Sequence, residues 1–269
     1  MTQFPSFALI LLAAGSSERF NRDNEEGVKK EFLEIDGHSV LYRAAEPFFE
    51  LPGLSAVIVA CQKDAEDETI VALEDLVNVN SIPFLLVEGG ATRKESVRIS
   101  LERLDSLSMG IEYVAIHDGA RPYIKPDMII NTLATATITG AAVPAIRITD
   151  SIKRLGADGF ISDNVDRTGL VRVQTPQIFR FDQILNAHRN FKGESASDDV
   201  EVYTASGYRC AVVQGSDENK KITYLKDIPD VENQIASYRK AREEGRKSKD
   251  ASKRMRELLF KPGESDEDR

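Results

Sequence analysis

Apolar residues come in blocks along this chain, separated by polar stretches with helical spacing. FALILLA (7–13) and SAVIVAC (55–61) are continuously apolar, as strands buried on both faces should be. Between them, VLYRAAEPFFEL (40–51) places Leu41, Ala44, Ala45, Phe48 and Phe49 on one helical stripe, and Pro52-Gly53 stops it. DAEDETIVALEDLVNV (64–79) predicts a helix with acidic residues in its first turn, where the helix dipole favours them. FLLVEGG (84–90) predicts a strand ending in a glycine pair, RKESVRISLERL (93–104) a helix, and YVAIHDGARP (113–122) a strand. KPDMIINTLATATITG (125–140) is expected to be a helix closed by glycine, and AAVPAIRI (141–148) a strand.

This rhythm predicts an α/β fold: a mostly parallel sheet with helices on both faces. Such sheets bind ligands at the carboxyl ends of their strands. Three unusual segments, AAGSS, VEGG and HDGARP, fall at such ends and so on one edge of the sheet. Residues 147–175 break the rhythm with short alternating stretches around Gly156, Asp158-Gly159 and Thr168-Gly169, and predict an antiparallel arm. Beyond it, TPQIF is expected to lead into a helix over 179–191. A short helix over 195–207 would be capped by Ser195 or Ser197. A strand over 208–215 follows, then a short strand and a long helix over 221–244.

Composition narrows the functional classes. With 269 residues, 41% apolar and 29% charged, the chain reads as a soluble globular protein with room for a substantial core. Its net charge of -9 argues against nucleic acid or a membrane surface as partner. The run Phe7 to Ala14 is too short for a membrane span and lacks the basic flank of a signal peptide, so a cytoplasmic location is the expectation. Cys61 and Cys210 lie far apart and predict buried free thiols. Residues 241–269, first basic and then acidic, read as a charged extension, partly helical or disordered, beyond a 1–240 domain. Met255, Leu258 and Leu259 form a small apolar stripe in it.

The candidate chemistry starts at the first strand. AAGSSERF contains the small residues that let a polyphosphate approach the main chain. It has neither GxxxxGK[ST] nor GxGxxG spacing, so on spacing alone it is either an anion-binding loop or an ordinary turn. Arg19, Lys29 and Lys30 add the positive charge that a transferring phosphoryl group needs. Asp118, at another strand end, is either a Mg²⁺ ligand beside a triphosphate or a partner of Arg121. His117 reads as structural. No nucleophile is evident, and none is needed for direct transfer between phosphates.

LLAAGSSERF, KKEFLEIDGHSVL, VEGGATRKESV, HDGARP, VDRTGLVRVQTPQIF, SASDDVEV and ENKKIT, in this order, closely resemble the 2-C-methyl-D-erythritol 4-phosphate cytidylyltransferase family over roughly residues 7–235. The resemblance implies a three-layer Rossmann-like nucleotidyltransferase fold and a homodimer through the 147–175 arm. It implies transfer of the cytidylyl group of CTP, with Mg²⁺, to the small polyol phosphate 2-C-methyl-D-erythritol 4-phosphate, giving 4-diphosphocytidyl-2-C-methyl-D-erythritol and pyrophosphate. Catalysis would fall to Arg19, Lys30 and Lys221, with Lys30 rather than Lys29 in the lysine role. Nucleotide binding would fall to Ala13, Ala14, Gly15, Ser16, Gly89, Gly90 and Ser96. The acceptor would meet Asp118, Arg121, Arg167, Thr175, Asp198 and Lys221, with Asp118 also nearest the metal. Gly119 stands where the family usually has alanine, and Asp199-Val200 where Glu-Ala is commoner. The polar stretch from Asn21 to Gly27 lengthens the path from Arg19 to Lys30 and would edge the site as a lid. Competing readings are a ribitol-5-phosphate cytidylyltransferase, a sugar-1-phosphate nucleotidyltransferase, and a non-catalytic dimeric interaction protein.

Overall fold

In the computed structural model the described residues are 4–17, 19–21, 28–80, 82–237 and 240. Residues 22–27 of the stretch expected to act as a lid, and the extension expected over 241–269, therefore lie outside them. Among the described residues the strands and main α-helices run β1 Phe7–Leu12, β2 Glu34–Ile35, β3 His38–Ser39, α1 Val40–Phe49, β4 Leu54–Cys61, α2 Glu66–Asn80, β5 Phe84–Glu88, α3 Arg93–Ser106, β6 Tyr113–Asp118 and α4 Pro126–Thr139. There follow β7 Ala141–Arg147, β8 Ile152–Leu155, β9 Ile161–Val165, β10 Val171–Val173, β11 Gln177–Arg180, α5 Phe181–Asn190, α6 Asp199–Ala205 and β12 Ala211–Gln214.

β5, β4, β1 and β6 lie side by side and parallel, with Ile10 opposite Ile58 on one side and Ile116 on the other. β11 then runs antiparallel between β6 and β7. β7 pairs parallel with β12 on its other edge, and antiparallel with β10 near its end. The sheet is thus mixed on this side, where the sequence suggested only a lead-in to a helix at TPQIF. QIFR is too short to show a period, and the strand exists because its amides have the edges of two neighbours to bond.

Alternate residues of each central strand feed opposite layers. Phe7, Leu9 and Leu11 pack under α1, α2 and α4, whereas Ala8 and Ile10 pack with Val97, Leu101 and Leu104 of α3 and with α5. The helix ends follow local chemistry. Thr92 caps α3 by accepting from the Glu95 amide at 3.1 Å. Pro126 opens α4, and Gly140 closes it in the left-handed conformation at φ 88°. α6 is capped by Asp198, not by Ser195 or Ser197, because only Asp198 stands directly before the first helical residue. No strand forms at 221. Residues 220–223 take no regular element, followed by a 3-10 turn at Leu225–Asp227 and a helical segment over 231–237.

The predicted arm is present. β8 and β9 form a two-stranded hairpin outside the main sheet, and β10 brings the chain back to β7. Leu155, Phe160 and Ile161 on it are largely exposed. Cys61 is buried and Cys210 half-buried, both as free thiols. Among the described residues, no helix is long and apolar enough to cross a membrane.

Candidate active site

The carboxyl ends of β1, β5 and β6 open into one cleft of about 590 Å³. Its walls are the loop after β1 (Ala14, Gly15, Ser16), the loop after β5 (Gly89 to Arg93), Asp118 at the end of β6, and Lys30 and Lys221 from elsewhere in the chain. Small residues make this possible. A Cβ on Gly89 would sit 2.2 Å from the Cβ of Ala14, so the two loops touch only because Gly89 has no side chain. A Cβ on Gly90 would strike Glu95, whose carboxylate reaches back to accept from the Ala91 amide at 2.8 Å. The loop after β1 is tethered by Gln62, which donates to the Ala14 carbonyl at 3.2 Å. Within the same loop Ser17 is held at φ 54°.

Asp118 is the electrostatic centre. Its carboxylate lies 3.0 Å from the Lys221 ammonium, 3.3 Å from Arg121 and 3.6 Å from Arg93. Burial opposes its charge, but Lys221, then Arg93 and Arg121, hold it ionised well below the usual carboxylate range. Its amide donates to the Thr175 hydroxyl at 3.1 Å, and that hydroxyl pairs with His117 Nδ1 at 3.0 Å. His117 Nε2 faces the Arg121 carbonyl at 3.3 Å. A carbonyl only accepts, so Nε2 carries the proton and Nδ1 accepts from Thr175. Burial lowers the His117 pKa to about 3, and the ring is neutral at physiological pH.

Arg93 links the cleft to the buried carboxylate of Asp199. It meets Asp199 at 2.7 Å, and the other oxygen of Asp199 lies 3.2 Å from His188. Burial works against the Asp199 charge, and Arg93 and His188 together keep its carboxyl below the usual range. Gln177 ties α6 into place, accepting from the Asp199 amide and donating to Asp198, each at 3.0 Å.

The two lysines reach the cleft by different routes. Lys30 is buried and donates to the Ile222 carbonyl at 2.9 Å; burial lowers its pKa. Lys29 instead faces Asp64 at 3.7 Å. Lys221 is placed by Asn219, which is fully buried, donates to the Thr175 carbonyl at 2.9 Å and accepts from Arg121 at 2.8 Å.

This arrangement gathers cations and main-chain amides around one cleft, as binding of an anion requires. The family model described as IspD, 2-C-methyl-D-erythritol 4-phosphate cytidylyltransferase, matches residues 7–237. The chain belongs to this family. A 2-C-methyl-D-erythritol 4-phosphate cytidylyltransferase of Cereibacter sphaeroides (strain ATCC 17023) is 39% identical over 229 residues, which cover 85% of this chain and 96% of that protein. A bifunctional IspD/IspF enzyme of Rhodospirillum rubrum is 37% identical over 221 residues, covering 82% of this chain and 55% of that protein. Among solved structures, the cytidylyltransferase from Thermus thermophilus superposes with a TM-score of 0.65 at 28% identity, covering 87% of this chain and 99% of that one. The Anaerococcus prevotii synthase, at 23% identity and a TM-score of 0.68 over 87% of this chain and 96% of that one, shares the fold.

Of the residues predicted for the site, Ala14, Gly15, Ser16, Lys30, Gly89, Gly90, Ser96, Asp118 and Lys221 line the cleft of this cytidylyltransferase-family chain. Ala13 is buried just beneath the loop, and Arg19 is exposed. Arg121 and Thr175 lie behind Asp118, and Asp198 caps α6. Arg167 sits on the exposed arm, where it donates to the Thr149 carbonyl, and is not among the lining residues. Sequence reasoning missed Arg93, Asp199, Gln177 and Asn219. Arg93, directly after the Thr92 cap and four residues past Gly89, had a usable positional signal. Asp199 and Gln177 had none, because their partners are distant in sequence.

Proposed function

We propose that this cleft is where the chain carries out its family's reaction, and we assign roles to its residues. The chain is a nucleotidyltransferase: it transfers the cytidylyl group of CTP to 2-C-methyl-D-erythritol 4-phosphate, giving 4-diphosphocytidyl-2-C-methyl-D-erythritol and pyrophosphate. The 4-phosphate oxygen attacks the α-phosphorus, the new P–O bond forms, and the α–β bridging oxygen leaves with pyrophosphate. A phosphate monoester is already mostly ionised at neutral pH, with its second pKa near about 6, so no strong base is required.

The observation that carries this reading is the meeting of the β1 loop, the glycine pair after β5, Asp118, Lys30 and Lys221 around one nucleotide-sized hollow. In our assignment, the main chain of Ala13 to Ser16 cradles the triphosphate. Gly89, Gly90 and Ser96 accept the pyrimidine ring against main-chain groups. Lys30 and Arg19 stabilise charge on the α-phosphate and on departing pyrophosphate. Lys221, held at Asp118, faces the acceptor side with Arg121 and Thr175 behind it, and Asp198 orders α6 at the acceptor end. Arg93 couples the base side of the cleft to Asp118.

Family membership implies dependence on Mg²⁺. Asp118 offers an ionised oxygen donor, but it is already surrounded by three cations. The described residues contain no group of three or more His, Cys, Asp or Glu able to hold a metal. This donor set suits an ion that arrives on nucleotide phosphates and takes at most one protein carboxylate. When bound there, the ion would neutralise phosphate charge.

The exposed apolar arm supports a homodimer in which arms are exchanged. Arg167 would then serve the partner's cleft, where its planar fork suits the acceptor phosphate. The test is pyrophosphate release from purified protein with CTP and magnesium, comparing 2-C-methyl-D-erythritol 4-phosphate, ribitol 5-phosphate and no acceptor. Release only with the first is expected. Release with ribitol 5-phosphate alone would overturn the acceptor, and silence with both, in folded protein, would overturn the site.

A further inference from the structure

The carboxylate of Asp118 is engaged on one oxygen only. Oδ2 meets the Lys221 ammonium at 3.0 Å and accepts from Arg121 Nε at 3.3 Å. Among the described residues Oδ1 accepts no hydrogen bond; the cation beside it is Arg93, whose Nε stands off at 3.6 Å, too far to bond. Arg93 has reason to close that gap. It lines the cleft with Asp118, and its Nη2 is buried without a hydrogen-bond partner. An unmet buried donor is costly, and a guanidinium pairs best with a carboxylate through two parallel N–H groups.

What holds Arg93 back lies on its other side. Its Nη1 forms an ion pair with Asp199 Oδ2 at 2.7 Å, and the Asp199 side chain is 1% exposed, so solvent screens this attraction little. Asp199 cannot follow Arg93 toward the cleft. Its amide donates to Gln177 Oε1 at 3.0 Å, Asp198 caps α6 directly before it, and its Oδ1 lies 3.2 Å from His188 Nε2. An ionised carboxylate only accepts, so Nε2 donates. His188 is itself buried on α5. Arg93 is the first residue of α3, whose start is fixed by the Thr92 cap, so only its side chain is free to turn between the two carboxylates.

We propose that Asp199 and His188 are positioning residues of the transfer reaction. Through Arg93 they keep a cation beside Asp118 Oδ1 without letting it bond there, and this oxygen stays open to the substrates. The inference rests on the reading of the cleft given above. Without the pull of Asp199, Arg93 turns to Asp118 and blocks the oxygen.

The test compares the unaltered chain with Asp199→Asn, Arg93→Met/Asp199→Asn, His188→Leu and His188→Gln by pyrophosphate release with CTP, magnesium and 2-C-methyl-D-erythritol 4-phosphate. Misplacement by ~1 Å can cost up to about 100-fold in rate, so Asp199→Asn should lower kcat by about 10- to 100-fold while KM for CTP stays within about threefold. Adding Arg93→Met removes the blocking group and should raise kcat at least about fivefold above Asp199→Asn. A role confined to packing α6 gives the opposite, a double variant no better than Asp199→Asn, and that result overturns the proposal. Removing one partner of a buried pair destabilises strongly, so the His188 variants carry the kinetic test where Asp199→Asn does not fold. His188→Leu should lower kcat, and His188→Gln, which keeps an N–H for Asp199, should restore it; equal losses in the two overturn the proposal. Crystals of ligand-free Asp199→Asn, or of His188→Leu where the first does not fold, give an arm without turnover. Arg93 is expected to hydrogen-bond Asp118 Oδ1 at about 2.7–3.2 Å, and Arg93 left where it now stands overturns the proposal. Silence of the unaltered chain is instead a failure of the cleft's reading, and the crystallographic arm still decides the positioning.

Discussion

Gly89→Ala tests the claim that the cleft is built by contact between the β1 and β5 loops. The added Cβ would lie 2.2 Å from the Ala14 Cβ and 3.1 Å from the Ser96 hydroxyl oxygen. Carbon atoms rest at about 3.5–4.0 Å, so the loops must part by more than about 1 Å. Overpacking of this kind costs about 1–3 kcal/mol of stability. Displacing a positioning loop by ~1 Å can cost up to about 100-fold in rate. The clash has an identifiable partner, so it has a specific remedy. In Ala14→Gly/Gly89→Ala the worst contact is gone, and much of the loss should return. Initial rates of pyrophosphate release against CTP concentration, with urea melts of the same four proteins, give a double-mutant cycle. A coupling of about 0.5–3 kcal/mol is expected. If Gly89→Ala stays within twofold of the parent in kcat and KM, or if the double variant is no better than Gly89→Ala, the reasoning is refuted.

Other expectations follow from the same network. Asp199→Asn removes one partner of a buried ion pair and should destabilise the fold by about 3–5 kcal/mol, read by urea melts; a loss below ~1 kcal/mol would show that Arg93 does not depend on it. An imidazole in the unfolded chain takes up a proton below about pH 6.5, whereas folded His117 does not until about pH 3. The unfolded state therefore binds more protons in that window. Stability should be lost as the pH is lowered from about 6.5 toward about 3, by up to about 1.4 kcal/mol per unit, with a shallower slope in His117→Gln. Asp118 and Asp199, both depressed, add their losses only below the ordinary carboxylate range, near about pH 4. Lys30→Met should lower kcat by at least about 100-fold with little change in melting temperature, measured by pyrophosphate release and thermal scans. Arg167→Ala mixed with Lys30→Met should recover activity through hybrid dimers if arms are exchanged, and no recovery would confine Arg167 to its own chain.

Much of the fold could be read from the chain because its signals are local. Buried parallel strands are continuous apolar runs such as FALILLA, and α1, α2 and α4 carry their own periodicity or caps. The position of the cleft was also legible, since unusual polar segments at successive strand ends share one sheet edge by topology. The arm was visible as a break in the rhythm. β11 was not, because four residues show no period and only the free edges of β6 and β7 make them a strand.

Which charges meet which is a different kind of information. Nothing local in the chain separates Lys29 from Lys30, yet one faces Asp64 and the other the cleft. Asp198 and Asp199 are neighbours, but one caps a helix at the surface and the other is buried against Arg93 and His188. Thr175, His117 and Arg121 form a relay behind Asp118 only once β6 and the segment before β11 lie side by side. The sequence by itself determined the alternation of elements, the sheet edge at which the cleft opens and the residue types gathered there, because backbone propensity and hydrophobic period act over a few residues. Tertiary structure alone decided the charge pairs, their protonation states and the contact of Gly89 with Ala14, because these depend on burial and on distances between residues far apart in the chain.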